Sequence, residues 1–307
     1  MPRFFIYPLV LQKVKAERWQ GIEMTINNKM EKLNSIRLRF TTGICFGGIG
    51  VIIFFISMGI FQAQAGMYLG LFLIVAGVLI GKGTHVKYQA IYKDLFAEEP
   101  LRKNFDDVFY AWKSGFSLQE VNDFELFPRG TEVKSEDYVK ASFKGVYFQM
   151  ADVTLIDMTK SGKSKNAYAF NGRILTFDFP DKAVSTIRIY SKEVYFRVKD
   201  NVMRTGKVKM ESEKFNQAFD VYAEDAHDVF YLLTPQFMEQ LIRLQRKYPH
   251  IAIKFQGNQV VVGFHDGKGS NSFDKTDWSN KVEYYEELAK VQSDINDVKN
   301  IINMICG

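Results

Sequence analysis

The chain has 307 residues, of which 47% are hydrophobic and 24% charged, with a formal net charge of +5 and two cysteines. The positive excess lies entirely in residues 1–39, with eight Lys/Arg against three Asp/Glu; the rest balances at 32 of each sign. A neutral body excludes the basic surplus that non-specific nucleic-acid binding requires. Cys45 and Cys306 lie too far apart in the chain to imply a disulfide framework or a zinc site.

The N-terminus, MPRFFIYPLVLQ, is apolar but short. It is interrupted by Pro8 and lacks a small-residue cleavage pattern, so it does not read as a signal peptide. Met24 opens MTINNKMEKLNSIRLRF, a more typical start for a basic helix entering a membrane, and residues 1–23 read as an upstream extension or disordered lead. Residues 1–39 together form a basic lead-in suited to contact with anionic lipid.

From Phe40 to Gly81 there is no Asp, Glu, Lys, Arg or His. A bilayer-spanning helix needs about 20 apolar residues, and this run supplies two, at about 42–61 and 63–81. Residues 40–83 are therefore expected to form a transmembrane helical hairpin, with the lipid bilayer as its partner. Lys29, Lys32, Arg37 and Arg39 precede it, Lys82, Lys87 and Lys93 follow it, and the turn at Gln62–Gly66 is uncharged. The positive-inside rule then gives a multi-pass protein of the plasma membrane with both termini cytoplasmic. Glycines at 43 and 47, 66 and 70, and 77 and 81 clear helix faces for close approach. They serve either a homo-oligomer or packing within the hairpin, and the short turn favours the second. With no intramembrane ionisable residue, the hairpin reads as an anchor rather than an ion path.

Residues 84–276 are expected to form a cytoplasmic α+β domain, an antiparallel sheet with flanking helices. Tyr88, Ile91, Tyr92, Leu95 and Phe96 make the apolar stripe of a helix over 84–99, which Pro100 breaks or restarts. A second helical piece is expected over about 101–113, with Phe105, Val108, Phe109 and Trp112 on one face. From about 115 to 210 the period shifts toward two in SFKGVYFQMADVTLIDM, RILTFDF, TIRIYS and EVYFRV, with Asn171-Gly172 as a hairpin turn. KVKMESEKFNQAFDVYAED reads as strand, short helix and strand. Thr234-Pro235 starts a helix through Phe237, Leu241 and Leu244 that stops before Pro249. IAIKF and QVVVGF follow as strands joined at Gln256-Gly257-Asn258, and Asp266–Ser272 is a glycine-rich loop. Residues 277–307 form a C-terminal amphipathic helix. Its seam of Leu288, Val291, Ile295, Val298, Ile302 and Ile305 fits a coiled coil, between copies or on the exit helix, as well as a helix lying on its own sheet.

No spacing in the chain carries recognisable chemistry, and no catalytic, cofactor-binding or metal-binding residue and no cofactor is assigned. Gly162-Lys163-Ser164 lacks the upstream glycine of a phosphate loop, with Asp157 in that place. His85, His227, His250 and His265 show no metal-ligand spacing, and the pairs Glu98-Glu99, Glu224-Asp225 and Glu286-Glu287 read as solvated faces or turns.

The blocks SFKGVYFQMADV at Ser142–Val153 and VKMESEKFNQAFDVYAEDAHDVFYLLTPQFMEQLIRL at Val208–Leu244 resemble a bacterial family known as domain-of-unknown-function family 3137. The order of hairpin, YKDLF exit helix and sheet resembles it too, over most of residues 28–265. The resemblance implies a bacterial plasma-membrane protein, often encoded beside LemA-type membrane proteins, and transfers no functional residue. The reading favoured is a non-enzymatic interaction or scaffold module held at the membrane. The alternatives are a membrane-tethered enzyme with a site built from sequence-distant residues, and a lipid-contacting sensor.

Overall fold

The structure, a computed structural model, describes residues 6–61, 64–157, 168–179, 183–194, 206–265, 273 and 280–306, without the side chains of residues 6–23, 60, 61, 85 and 168. They form two compact units, residues 1–100 with 272–291, and residues 101–271 with 292–307.

The first unit is helical. Helix α1 (Ile6–Ile56) starts well before Met24, so the backbone of residues 6–23 is helical rather than disordered. A π-helical turn, Ser57–Phe61, leads toward α2 (Gln64–Gly81). Left-handed Gly83 (φ 73°) then separates α2 from α3 (Thr84–Lys93), and Thr84 Oγ1 donates to Gly81 O at 2.6 Å. The expected exit stripe is seen: Tyr88, Tyr92, Leu95 and Phe96 are buried. Tyr88 stacks on Tyr92 with ring centroids 6.1 Å apart, and Tyr92 meets Phe96 at 4.8 Å.

Pro100 does not stop this helical path. A second π-helical turn, Asp94–Glu98, precedes α4 (Glu99–Asn104), and the Glu99 N–H reaches back five residues to Asp94 O. A proline ring collides with the carbonyl four residues back and brings no N–H of its own. Widening the turn just before it relieves that collision, a common origin of π-bulges and helix bends.

The second unit is built on a nine-stranded antiparallel sheet of β1 (Asp106–Ala111), β2 (Glu132–Phe143), β3 (Val146–Ile156), β4 (Tyr168–Asp178), β5 (Val184–Ser191), β6 (Gly206–Val208), β7 (Phe219–Ala223), β8 (His250–Gly257) and β9 (Gln259–His265). Their spatial order is β1-β2-β3-β4-β9-β8-β5-β7-β6. Both faces are buried at the centre, which explains the unbroken apolar run VVVGF. On one face, Phe116, Val121, Leu126 and Phe127, around α5 (Leu118–Asp123), form a core with Val153, Leu155, Phe170, Ile174 and Tyr190. The other face carries Met150, Leu175, Ile189, Ile253 and Val262, all buried. Helix α8 (Pro235–Lys247) and the latter part of α9 (Tyr284–Cys306) add Leu241, Ile295, Val298 and Ile302 to the buried set.

Three expectations are corrected. Residues 106–111 are a strand, not part of a helix: Phe109 and Tyr110 pair with Lys140 and Val139 of β2. Phe109 is 56% exposed while Phe105 is buried, so the supposed helical stripe is split. Asn171 and Gly172 lie inside β4, opposite Thr154 and Val153. Glycine is needed there for closeness rather than for a turn, since a Cβ would stand 2.5 Å from Phe264 O. The β2–β3 hairpin instead turns at Lys144-Gly145, both left-handed (φ 52° and 83°). The terminal helix begins at Tyr284, with residues 280–283 non-helical.

Of the other local readings, the EVYFRV strand lies outside the described residues beyond Val194, and those that follow hold. Thr234 caps α8 by accepting from Phe237 N at 3.3 Å, and strand, helix α6 (Glu213–Ala218) and strand follow in the expected order. The β8–β9 hairpin turns at left-handed Gly257 (φ 60°). Helix α7 (Ala226–Leu232), capped by Asp225, and α5 add to the expected set.

Candidate functional site

Two features of the first unit stand out, a close helix–helix contact and a wide apolar exterior. A Cβ on Gly77 would lie 2.5 Å from Gly43 O and 2.7 Å from Gly47 N; one on Gly50 would lie 2.7 Å from Gly70 O. The small-residue faces thus pack α1 on α2, as the short turn implied. A Cβ on Gly47 itself would meet nothing within 4 Å. Around this contact Ile52, Phe55, Phe72, Val78 and Leu79 are exposed. Both helices are long and apolar enough to cross a membrane, and only 17% and 11% of their most apolar windows is buried. Helices of a soluble core would bury far more of such a surface.

Below the hairpin, Lys29 of α1 forms ion pairs with Asp94 (3.0 Å) and Glu99. Glu287, read from sequence as solvated, is buried: it accepts from Tyr92 Oη at 2.8 Å and from Lys290 Nζ at 3.1 Å. Of the other acidic pairs, Asp225 caps α7 and Glu224 Oε2 accepts from the Thr186 N–H at 3.3 Å.

The sheet carries two buried charge centres, one on each face. On the α9 side, Arg173 of β4 grips Asp152 with two hydrogen bonds (Nε–Oδ1 2.7 Å, Nη2–Oδ2 3.0 Å) and reaches Asp294 at 3.1 Å. Burial opposes the guanidinium charge, but the two carboxylates outweigh it and hold the proton more firmly than water would. Nearby, Tyr248 donates to Asp297 at 2.6 Å, and burial, with Asp294 close by, raises its phenol above the ordinary value.

On the opposite face, Arg188 of β5 and Lys254 of β8 are direct cross-strand partners, and their side chains are 7% and 3% exposed. They hold the segment after α5. Lys254 Nζ donates to Phe124 O (3.0 Å), Arg188 Nε to Glu125 O (3.3 Å), and Tyr190 Oη to Leu126 O (3.1 Å). The Glu125 carboxylate, 58% exposed, bridges both cations at 3.2 and 3.4 Å. Glu125 sits at φ 49°, an uncommon conformation for a residue with a side chain. Sequence reading missed both cations. The available signal was a basic residue at an inward position of an apolar strand, in TIRIY and IAIKF.

His250 and His265 are cross-strand partners with rings 6.0 Å apart, and His250 Nδ1 lies 2.8 Å from Glu193 O. Among the described residues, no three His, Cys, Asp or Glu side chains are placed to hold a metal ion. Gly162-Lys163-Ser164 and the Asp266–Ser272 loop lie outside the described residues. Cys45 is exposed; Cys306 is half-buried, and burial pushes its thiol up to about 11.

These features define an α+β sheet domain joined in sequence to an apolar helical hairpin. The model of the family described as "Protein of unknown function (DUF3137)" matches residues 168–305. That region contains the Val208–Leu244 block, while Ser142–Val153 lies before it. No curated protein matches the chain. One solved structure, that of the mycobacterial trehalose monomycolate transport factor A, TtfA, aligns over 69% of this chain and 94% of its own, at 8% identity and a TM-score of 0.37. Similarity at that level carries no functional inference.

Proposed function

We propose that the hairpin anchors the chain in a bacterial plasma membrane with both termini cytoplasmic. It holds the α+β domain at the inner face as a non-enzymatic interaction module. The observation that carries this reading is the hairpin's exterior: exposed Ile, Phe, Val and Leu surround a glycine-packed contact, a surface that suits hydrocarbon and not water. The charge pattern supports the orientation, with basic residues on both flanks and none in the turn. The sheet domain supports an interaction role, since its Arg173–Asp152–Asp294 cluster is engaged in ion pairs and hydrogen bonds that hold its own segments. A LemA-type membrane protein is the partner to test first.

Alkaline carbonate extraction of native membranes is expected to leave the chain in the pellet. A cysteine placed at Gln64 should react with a membrane-impermeant maleimide from outside intact cells, and one placed at Lys281 only after lysis. Release by carbonate, or the reverse labelling, would defeat the anchoring reading. Crosslinking in those cells should then join the chain to the LemA-type protein, and its absence would remove that partner.

A further inference from the structure

The Arg188–Lys254 pair is an unusual thing to bury. Two cations face each other across adjacent strands, and like charges directly opposite are destabilising. Their shared carboxylate comes from a side chain more than half exposed on a left-handed residue. The same sheet face continues the row through Tyr222, which pairs with Arg188, to Lys207, which pairs with Tyr222. Beside that row, buried Asp220 serves both Lys192 and Lys207, the latter at 2.8 Å. The patch thus sets Lys254, Arg188, Lys207 and Lys192 against the carboxylates of Glu125 and Asp220, with exposed Glu224 at its border on the Thr186 N–H.

We propose that Arg188 and Lys254 form a binding site for a phosphate-bearing ligand, with Glu125 as the internal counter-ion that the ligand displaces. A guanidinium fork suits phosphate oxygens, and a phosphate monoester carries more charge than the single carboxylate it replaces. Displacement requires only that the exposed Glu125 side chain swing outward. The backbone grip on Phe124, Glu125 and Leu126 carbonyls stays in place, so the site is preformed. Burial and the adjacent Arg188 already hold the Lys254 ammonium below the ordinary lysine value, in keeping with an under-neutralised pair. The ligand is either a free phosphate compound or a lipid headgroup, since both present the same oxygens.

The test uses the full chain in neutral detergent at fixed ionic strength, titrated with inorganic phosphate and separately with detergent-dispersed phosphatidic acid, whose headgroup is a phosphate monoester. Glu125→Gln removes the competing charge while keeping the side chain's size, and it should bind at least one of the two probes about tenfold more tightly than the parent chain. Arg188→Met added to that variant should abolish saturable binding. Tightening for phosphate alone indicates a free ligand, and tightening for the lipid alone indicates a headgroup. No tightening with either probe, or tightening that survives Arg188→Met in a protein of unchanged circular dichroism, would overturn the assignment. Because the readout is binding and not membrane residence, it stands apart from the anchoring proposal.

Discussion

Arg173 shows how much a single buried charge commits the sheet. Its side chain is 7% exposed, with Asp152 on the neighbouring strand and Asp294 on α9 as its counter-charges. Removing one partner from a buried pair leaves the others uncompensated, typically costing about 3–5 kcal/mol. Arg173→Leu should therefore lower the unfolding midpoint in urea by that equivalent, whereas exposed Arg243→Leu, whose only described ion pair is with Glu239 one turn away, should change it by less than about 1 kcal/mol. Cys306 offers a prediction in pH. A thiol raised from 9.0 to about 11 holds about a hundredfold less thiolate at pH 8 than an unperturbed one. Alkylation of Cys306 by iodoacetamide should be correspondingly slow at pH 8 and climb until about pH 11. Rapid reaction at pH 8 would show that the burial is not maintained in solution.

At the scale of elements, patterns with one physical meaning were legible, and patterns with two were not. The hairpin, the Thr234-Pro235 cap and the Gln256-Gly257-Asn258 turn each have a local cause that the sequence states directly. Asn171-Gly172 has two: glycine permits a left-handed turn, and it also permits a carbonyl to come close, and Phe264 O belongs to a strand some ninety residues away. The strand at 106–111 was hidden likewise, because Phe105, Val108 and Phe109 satisfy helical spacing while the pairing that decides the matter comes from β2. Helix α5 was readable: Ser117 and Glu120 form a full capping box, with Glu120 N donating to Ser117 Oγ at 3.2 Å and Ser117 N to Glu120 Oε2 at 2.7 Å. Of the candidate site, the two cations were visible only as single letters, because register alone makes them neighbours. The glycine contact gives the sharpest test at this scale. Gly77→Val places a Cβ against the backbone of Gly43 and Gly47, and overpacking of this kind costs about 1–3 kcal/mol. It should lower the hairpin's thermal midpoint in detergent, while Gly47→Val, whose Cβ meets nothing, should leave it unchanged.

At the scale of the whole molecule, burial along the terminal helix favours one of the readings that its heptads left open. Val291, Ile295, Val298, Ile302 and Ile305 are all buried within one chain, so the seam is already occupied. Over residues 284–291 the helix belongs to the first unit, where Tyr284 meets Phe96 and Glu287 accepts from Tyr92. Over residues 292–306 it belongs to the sheet unit, where Asp294 meets Arg173 and Asp297 meets Lys247 and Tyr248. Each buried aliphatic side chain of that second part contributes about 1.5–3 kcal/mol, a large share of the 5–15 kcal/mol that usually separates folded from unfolded domains. A coiled coil between copies and a helix folded onto its own sheet therefore predict different failures. If the seam joined copies, Val298→Asp would convert an oligomer into a folded monomer. With the seam inside the chain, the same substitution buries a charge among Ile295, Ile301 and Ile302 and should abolish the sheet unit's protease resistance, as should ending the chain after Val291. Size-exclusion chromatography with light scattering and limited proteolysis in detergent separates the two, and the expected result is an unfolded or aggregated species with no folded monomer.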